Sequence, residues 1–304
     1  MHYHNSKVSS NRNLAIAILL NSFISIAEFL AGILINSLAL ISDALHNISD
    51  VFALILSYIA SRIMGWDSNH KKTFGYLRIE ILVALVNSVS LVVVGGYIIY
   101  EAIDRISTPS PLPGLWIMII AGIGFVVNFI SSLLLKHDAH KDLNIKSAYL
   151  HLVTDALNSL AVIVAGGLIY FFEWFFLDPL ISIAIGSFVI KSAWDIILET
   201  VNILTEGTPK GINVNDVVNE IKSINGVCSV HHLHIWSLSS RFRALSAHIV
   251  VDDGLISDKH SIVMEIGLRL EKRFGINHPT IQLETSICSD QKVIVNLNED
   301  KRSI

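Results

Sequence analysis

Charged residues and cysteines are scarce in this chain, and each shortage rules something out. Only 16% of the 304 residues are charged, against about 25% in soluble globular domains, which excludes a protein wholly dissolved in water. The two cysteines, Cys228 and Cys288, are too few and too far apart for the disulfide frameworks of small secreted domains, so a reducing setting is expected. No Gly-x-x-x-x-Gly-Lys-[Ser/Thr] loop occurs, which leaves no P-loop for ATP. His-Glu-x-x-His is missing too, and with it a common helix-borne metallohydrolase motif. The net charge of -4 conceals Lys and Arg gathered beside the apolar segments, and nothing in it suggests nucleic acid as a partner.

What the chain has in excess is apolar sequence: 52% of its residues are hydrophobic, and the mean hydropathy is +0.57. Long apolar runs fill residues 13 to 200, whereas residues 206 to 304 read as an ordinary soluble domain. A bilayer core of roughly 30 Å takes about 20 apolar helical residues, because each buried backbone group must be satisfied within the segment. Six spans are expected, at 13 to 35, 38 to 63, 80 to 100, 114 to 136, 146 to 171 and 178 to 200. Asn36-Ser37, the Pro109 to Gly114 stretch and Asp178-Pro179 supply turn chemistry between them. The first run is too long for the core of a cleavable signal peptide and is read as a permanent span.

Lys and Arg in short loops stay on the cytoplasmic side. Lys7 and Arg12 precede the first span, Arg62, Lys71, Lys72 and Arg78 fill the second loop, and Lys136, Lys141 and Lys146 the fourth; the other loops hold only Arg105. Both termini are therefore expected in the cytoplasm, with a tail over 1–12, a membrane domain over 13–205, a soluble domain over 206–290 and a tail over 291–304.

Ionisable residues within lipid are costly unless they face a cavity and find partners, so each is a functional candidate. The second span carries Leu45-His46-Asn47-Ile48-Ser49-Asp50 and the fifth Leu150-His151-Leu152-Val153-Thr154-Asp155, one Leu-His-x-x-[Ser/Thr]-Asp pattern in each half. Positions i and i+4 share a helix face about 5 to 6 Å apart at Cβ. Two such helices packed face to face bring two imidazoles and two carboxylates together, a tetrahedral set suited to Zn²⁺. No cysteine lies in any span to favour softer, thiolate-seeking ions. The alternative reading of each pair, polar glue between helices, explains one His more easily than two identical pairs. Asp43, one turn before His46, either extends this polar face or belongs to the helix start. Glu28 is either packing glue or the lining of a vestibule; for Asn21, Asn87 and Asn158 glue is the expected role.

These residues resemble those of the cation diffusion facilitator family, zinc-transporting type. The likeness also takes in Ser37-Leu38-Ala39-Leu40-Ile41-Ser42-Asp43-Ala44, Thr73-Phe74-Gly75-Tyr76 with Arg78 and Glu80, Asp178-Pro179, and Leu233-His234-Ile235-Trp236-Ser237-Leu238. It implies a bacterial inner-membrane homodimer that exports divalent metal in exchange for protons through His46, Asp50, His151 and Asp155. Some relatives have a carboxylate at the position of His46, associated with cadmium; two His residues imply zinc. Co²⁺, Cd²⁺ and Ni²⁺ stay open as further substrates.

The soluble part is expected to be a small α+β domain of order αββαβ, with a helix at 215–224, strands at 227–238 and 243–252, a helix at 258–274 and a strand at 280–286. Strand alternation places His232 and His234 on one face and His231 on the other. The resemblance implies that this domain is ferredoxin-like and dimerises. By the same resemblance His231, His248 and Glu284 hold regulatory zinc, with His260 as a bridge between subunits; His234 is a further candidate, and Gln282 stands where another His is common. Surface His without metal is the competing reading. Asp67 and His70 could form a weak loading site in the second loop, where Tyr76 replaces a His of some relatives. His2 and His4 either scavenge metal or lie in a disordered tail, the expected reading, and Cys288 either ligates zinc or is a simple thiol, the expected reading.

Overall fold

The computed structural model describes residues 2–108, 110–136, 143–285 and 292–294. Cys288, the side chains of His2 and His4, and most of the final tail lie outside the described residues. Six long helices come first: α1 (His2–Ile35), α2 (Leu38–Met64), α3 (Ile79–Ser107), α4 (Gly114–Lys136), α5 (Leu143–Phe172) and α6 (Leu177–Leu204). Each contains a window long and apolar enough to cross a membrane. Then follow α7 (Val214–Lys222), β1 (Val227–Ser237), β2 (Arg243–Val251), α8 (Ile256–Phe274) and β3 (His278–Glu284), the expected αββαβ order. The chain forms two compact units, 1–59 with 86–197 and 60–85 with 198–304.

Within the first unit, α4 packs on both α1 and α5. Helices in lipid gain from close backbone approach at small residues, and Gly114 of α4 shows it: a Cβ there would lie 2.6 Å from the Gly166 carbonyl oxygen. The break between α1 and α2 is made by Asn36, at φ 59, after which the Ser37 amide donates to the Gly32 carbonyl at 3.0 Å. Helix α2 is then capped from another element. The carboxylate of Asp178, in the first turn of α6, accepts from the Leu38 and Ala39 amides at 2.8 and 3.3 Å and from the Ser37 hydroxyl. A carboxylate at a helix N-terminus satisfies amides that have no partner within the helix and meets the positive end of its dipole. That cap fixes the helix that carries His46 and Asp50.

In the second unit the sheet order is β1-β2-β3, with β1 antiparallel and β3 parallel to the central β2. Apolar side chains of α7 and α8, among them Ile221, Ile266 and Leu270, form one core with Leu245 and Ile249 of β2. Strand β3 begins earlier than expected, with Pro279 paired to Leu245. An edge strand tolerates a residue that cannot donate.

Candidate metal centre

Helices α2 and α5 present their i, i+4 pairs to each other. His46 Nδ1 lies 3.6 Å from Asp50 Oδ2, His151 Nε2 lies 3.3 Å from Asp50 Oδ2, and His151 Nε2 lies 3.5 Å from Asp155 Oδ2. The two imidazole rings stand edge to face, 6.0 Å apart. In a tetrahedron with metal to ligand distances of about 2.0 to 2.2 Å, donor atoms lie about 3.3 to 3.6 Å apart. These three spacings thus match three edges of a zinc coordination sphere. Ligand atoms of His46, His151 and Asp155 all fall within 4.8 Å of one another. Buried polar atoms are nearly always paired, yet His46 Nδ1, Asp50 Oδ2 and both Asp155 oxygens have no hydrogen-bond partner. An ion's lone-pair requirements would account for all four.

A cavity of about 580 Å³ leads to this cluster, lined by Ala17, Asn21, Asp50, Ser57, Ala148 and His151 among others. These residues lie toward the ends where α1 and α5 begin and α2 finishes, so the cavity opens to that side. Access grades inward: the side chains of His151 and Asp50 are 38% and 33% exposed, that of Asp155 not at all.

Asp43 belongs to the polar face rather than to the helix start, since α2 begins at Leu38 and its cap comes from Asp178. Its buried carboxylate accepts from the Ser159 hydroxyl at 3.2 Å. Glu28 is fully buried, pressed on Gly124 of α4, and neither of its oxygens has a partner.

The soluble unit holds a second ligand group. Glu284 of β3 reaches His248 Nδ1 of β2 at 2.8 Å and His231 Nε2 of β1 at 3.2 Å. Burial holds the His231 imidazole below its ordinary pKa, against the opposing pull of Glu284, which keeps a nitrogen lone pair available.

Strict strand alternation fails here. A register shift between His231 and His234, with His232 at φ 48, forms a bulge. It turns the His232 ring to within 4.8 Å of His248 and 5.3 Å of His231. His232 therefore joins His231, and His234 does not accompany it; His234 lines a pocket of about 800 Å³ with Trp236, Lys72 and Arg78. Sequence spacing carried no sign of the bulge beyond the His residue type, which enters the left-handed region more readily than most. His260 is exposed on α8 and outside the group. Asp67 and His70 are exposed in the loop after α2 and join no ligand group among the described residues. Tyr76 packs edge-on against Trp66 under the Lys72 ammonium, so it shapes this loop.

Two family models match the chain: the cation efflux transmembrane domain over residues 14–205 and the cytoplasmic domain of cation efflux proteins over residues 209–286. A cadmium, cobalt and zinc/H(+)-K(+) antiporter of Bacillus subtilis is 41% identical over 96% of this chain and 95% of its own length. The zinc transporter ZitB of Escherichia coli is 34% identical over 86% of this chain and 84% of its own. The solved metal-bound C-terminal domain of the CzcD transporter from Cupriavidus metallidurans is 34% identical; it covers 24% of this chain and 99% of that one, with a TM-score of 0.22.

Proposed function

The chain belongs to the cation efflux family, and from that premise we propose that it exports Zn²⁺, held during transit by His46, Asp50, His151 and Asp155. One observation carries the assignment: His46 with Asp50, Asp50 with His151 and His151 with Asp155 stand at edge lengths of a zinc tetrahedron across two membrane helices, and His46, His151 and Asp155 offer ligand atoms within 4.8 Å of one another. Four protein ligands leave no open position for an activated water, which favours a carried ion over an intramembrane hydrolase or a receptor.

Metal binding needs neutral His and ionised Asp, so protons and zinc compete for the same lone pairs. An inward proton gradient then drives zinc outward as the helices expose the site to each side in turn. The Bacillus subtilis relative is described as exchanging both H⁺ and K⁺, and both are candidate counter-cations here. The bacterial relatives support an inner membrane, the Lys and Arg distribution supports both termini being cytoplasmic, and the cavity beside Asp50 then faces the cytoplasm. The soluble domain, by its family, pairs two copies of the chain, and zinc on His231, His232, His248 and Glu284 biases the cycle as a cytoplasmic signal.

Purified protein in liposomes tests this reading. Zinc flux should follow an imposed pH gradient, and Asp50→Ala or Asp155→Ala should abolish it; full transport by both variants would remove the site. Spin labels on the two soluble domains should approach on adding zinc, and a separation indifferent to zinc would contradict the signalling role.

A further inference from the structure

The second unit gathers cations that have few partners. A cavity of about 800 Å³ lies between the loop that joins α2 to α3 and residues of β1 and β2, lined by Lys71, Lys72, Arg78, Leu82, His234 and Trp236 among others. All of them belong to that one unit. Against the three cations the lining sets a single carboxylate, Glu206. Arg78 gives it only Nη2, at 3.1 Å from Oε1; among the described residues its Nε and Nη1 donate to nothing. Lys71 and Lys72 come within ion-pair reach of no carboxylate among the described residues. Glu80 accepts instead from the Ser240 hydroxyl at 2.9 Å, and neither it nor Asp67 lines the cavity.

Packing holds these donors in place. The Lys72 ammonium stands 4.9 Å from the centroid of the Tyr76 ring, which itself packs edge-on against Trp66. Contact with an aromatic face orients an ammonium without neutralising it. The amides of Thr73, Phe74, Tyr76 and Leu77 donate to no acceptor among the described residues. Ammonium, guanidinium and amide donors with nothing to bond form a site for an anion, and a planar guanidinium favours the oxygens of a phosphate.

The apolar part of the wall indicates where that phosphate comes from. Helix α2 ends at Met64 and α3 begins at Ile79, so the loop between them runs along the membrane surface. Leu82, in the first turn of α3, lines the cavity and is exposed, as are Phe74 and Trp66 in the loop. Exposed apolar and aromatic groups suit the level of lipid headgroups, whereas a free hydrated anion gains nothing from them. The volume falls within the range of small-molecule sites, and basic pockets on the cytoplasmic side of membrane helices take anionic headgroups.

We propose that this cavity binds the phosphate of an anionic phospholipid from the cytoplasmic leaflet, held by Lys71, Lys72 and the open edge of Arg78, with the acyl chains passing Leu82. The proposal rests on the topology proposed above, which puts this loop in the cytoplasm. It also gives a place to His234, which takes no part in the metal group: with Trp236 it brings β1 to the same headgroup, so that the lipid joins the loop to the sheet.

The test follows thermal unfolding of the zinc-free full chain in dodecyl maltoside at fixed salt, with phosphatidylglycerol, phosphatidylcholine or inorganic phosphate added. The wild-type Tm should rise saturably with phosphatidylglycerol and stay level with the other two. Each Lys or Arg beside an anionic lipid contributes about 1 kcal/mol, so the mole fraction giving half the rise should increase about fivefold in Lys71→Gln and in Lys72→Gln. Lys72→Arg should keep the wild-type midpoint, as should Lys146→Gln, which removes the same charge away from the cavity. No saturable rise, or an equal rise with phosphatidylcholine, would overturn the proposal. So would an equal loss in Lys146→Gln, since diffuse surface charge would then suffice, or a loss in Lys72→Arg, since loop packing would then explain Lys72→Gln. A full rise with inorganic phosphate alone would assign the cavity to a free anion and refute the lipid. Zinc plays no part in this readout, so absence of zinc flux in liposomes would count against the transport reading alone.

Discussion

Asp50 of α2 stands 3.3 Å from His151 of α5, a contact that joins the two copies of the Leu-His-x-x-[Ser/Thr]-Asp pattern across the helix interface. The shorter spacing falls between helices, while the pairs within each helix lie 3.6 and 3.5 Å apart. A site closed by residues on different helices depends on how those helices are held, and the first two of the following predictions address the holding of helices.

Asp178→Ala removes the cap from α2. Loss of a helix cap is worth about 0.5 to 2 kcal/mol, and here it also loosens the helix bearing His46 and Asp50. A lower Tm in detergent together with weaker zinc binding by calorimetry is expected. Unchanged zinc affinity would separate the cap from the site.

Gly124→Ala places a methyl group where Glu28 Oε1 now lies, and the carboxylate must move. Overpacking of this kind costs about 1 to 3 kcal/mol. Gly122→Ala is the control, since a Cβ at that position meets nothing within 4 Å. Thermal unfolding should distinguish the two variants; equal behaviour would contradict the close approach of α1 and α4.

His232→Ala should weaken zinc binding by the soluble domain and His234→Ala should leave it nearly unaltered, whereas a regular strand with His231 alone in the site would leave both variants unaltered. Loss of even an outer-shell partner lowers metal affinity roughly 10 to 100-fold. Zinc titration of a fragment spanning residues 206–290 measures both.

Burial depresses the His231 pKa in the folded domain, with Glu284 opposing. The unfolded chain therefore takes up the proton first as pH falls, and the folded state loses stability below the ordinary His value of about 6.5. Above that value the ring is neutral in both states and the penalty vanishes. Thermal melts of the zinc-free fragment from pH 5 to 8 should show the decline only on the acid side, and His231→Ala should reduce it.

The spans were legible because lipid imposes one rule on every segment: residues 38 to 63 and 178 to 200 foretold α2 and α6 to within a few positions. Where helices leave the apolar layer, hydropathy is blind. Helix α3 continues past residue 100 to Ser107 on polar sequence stabilised by the Glu101 to Arg105 pair, and α1 extends back to His2. The i, i+4 pairs were readable since helical period alone aligns them. Asp43 and Glu28 stayed ambiguous, because their partners, Ser159 and Gly124, lie on other helices and no local pattern announces them. The bulge at His232 was hidden for a related reason: register is a property of two strands, not of one.

The most direct measurement is an anomalous-scattering map at the zinc edge from crystals of the full chain grown with zinc. A peak within about 2.0 to 2.2 Å of one atom each from His46, Asp50, His151 and Asp155 is expected. Zinc seated elsewhere among the membrane helices, with those four side chains uncoordinated, would contradict the account.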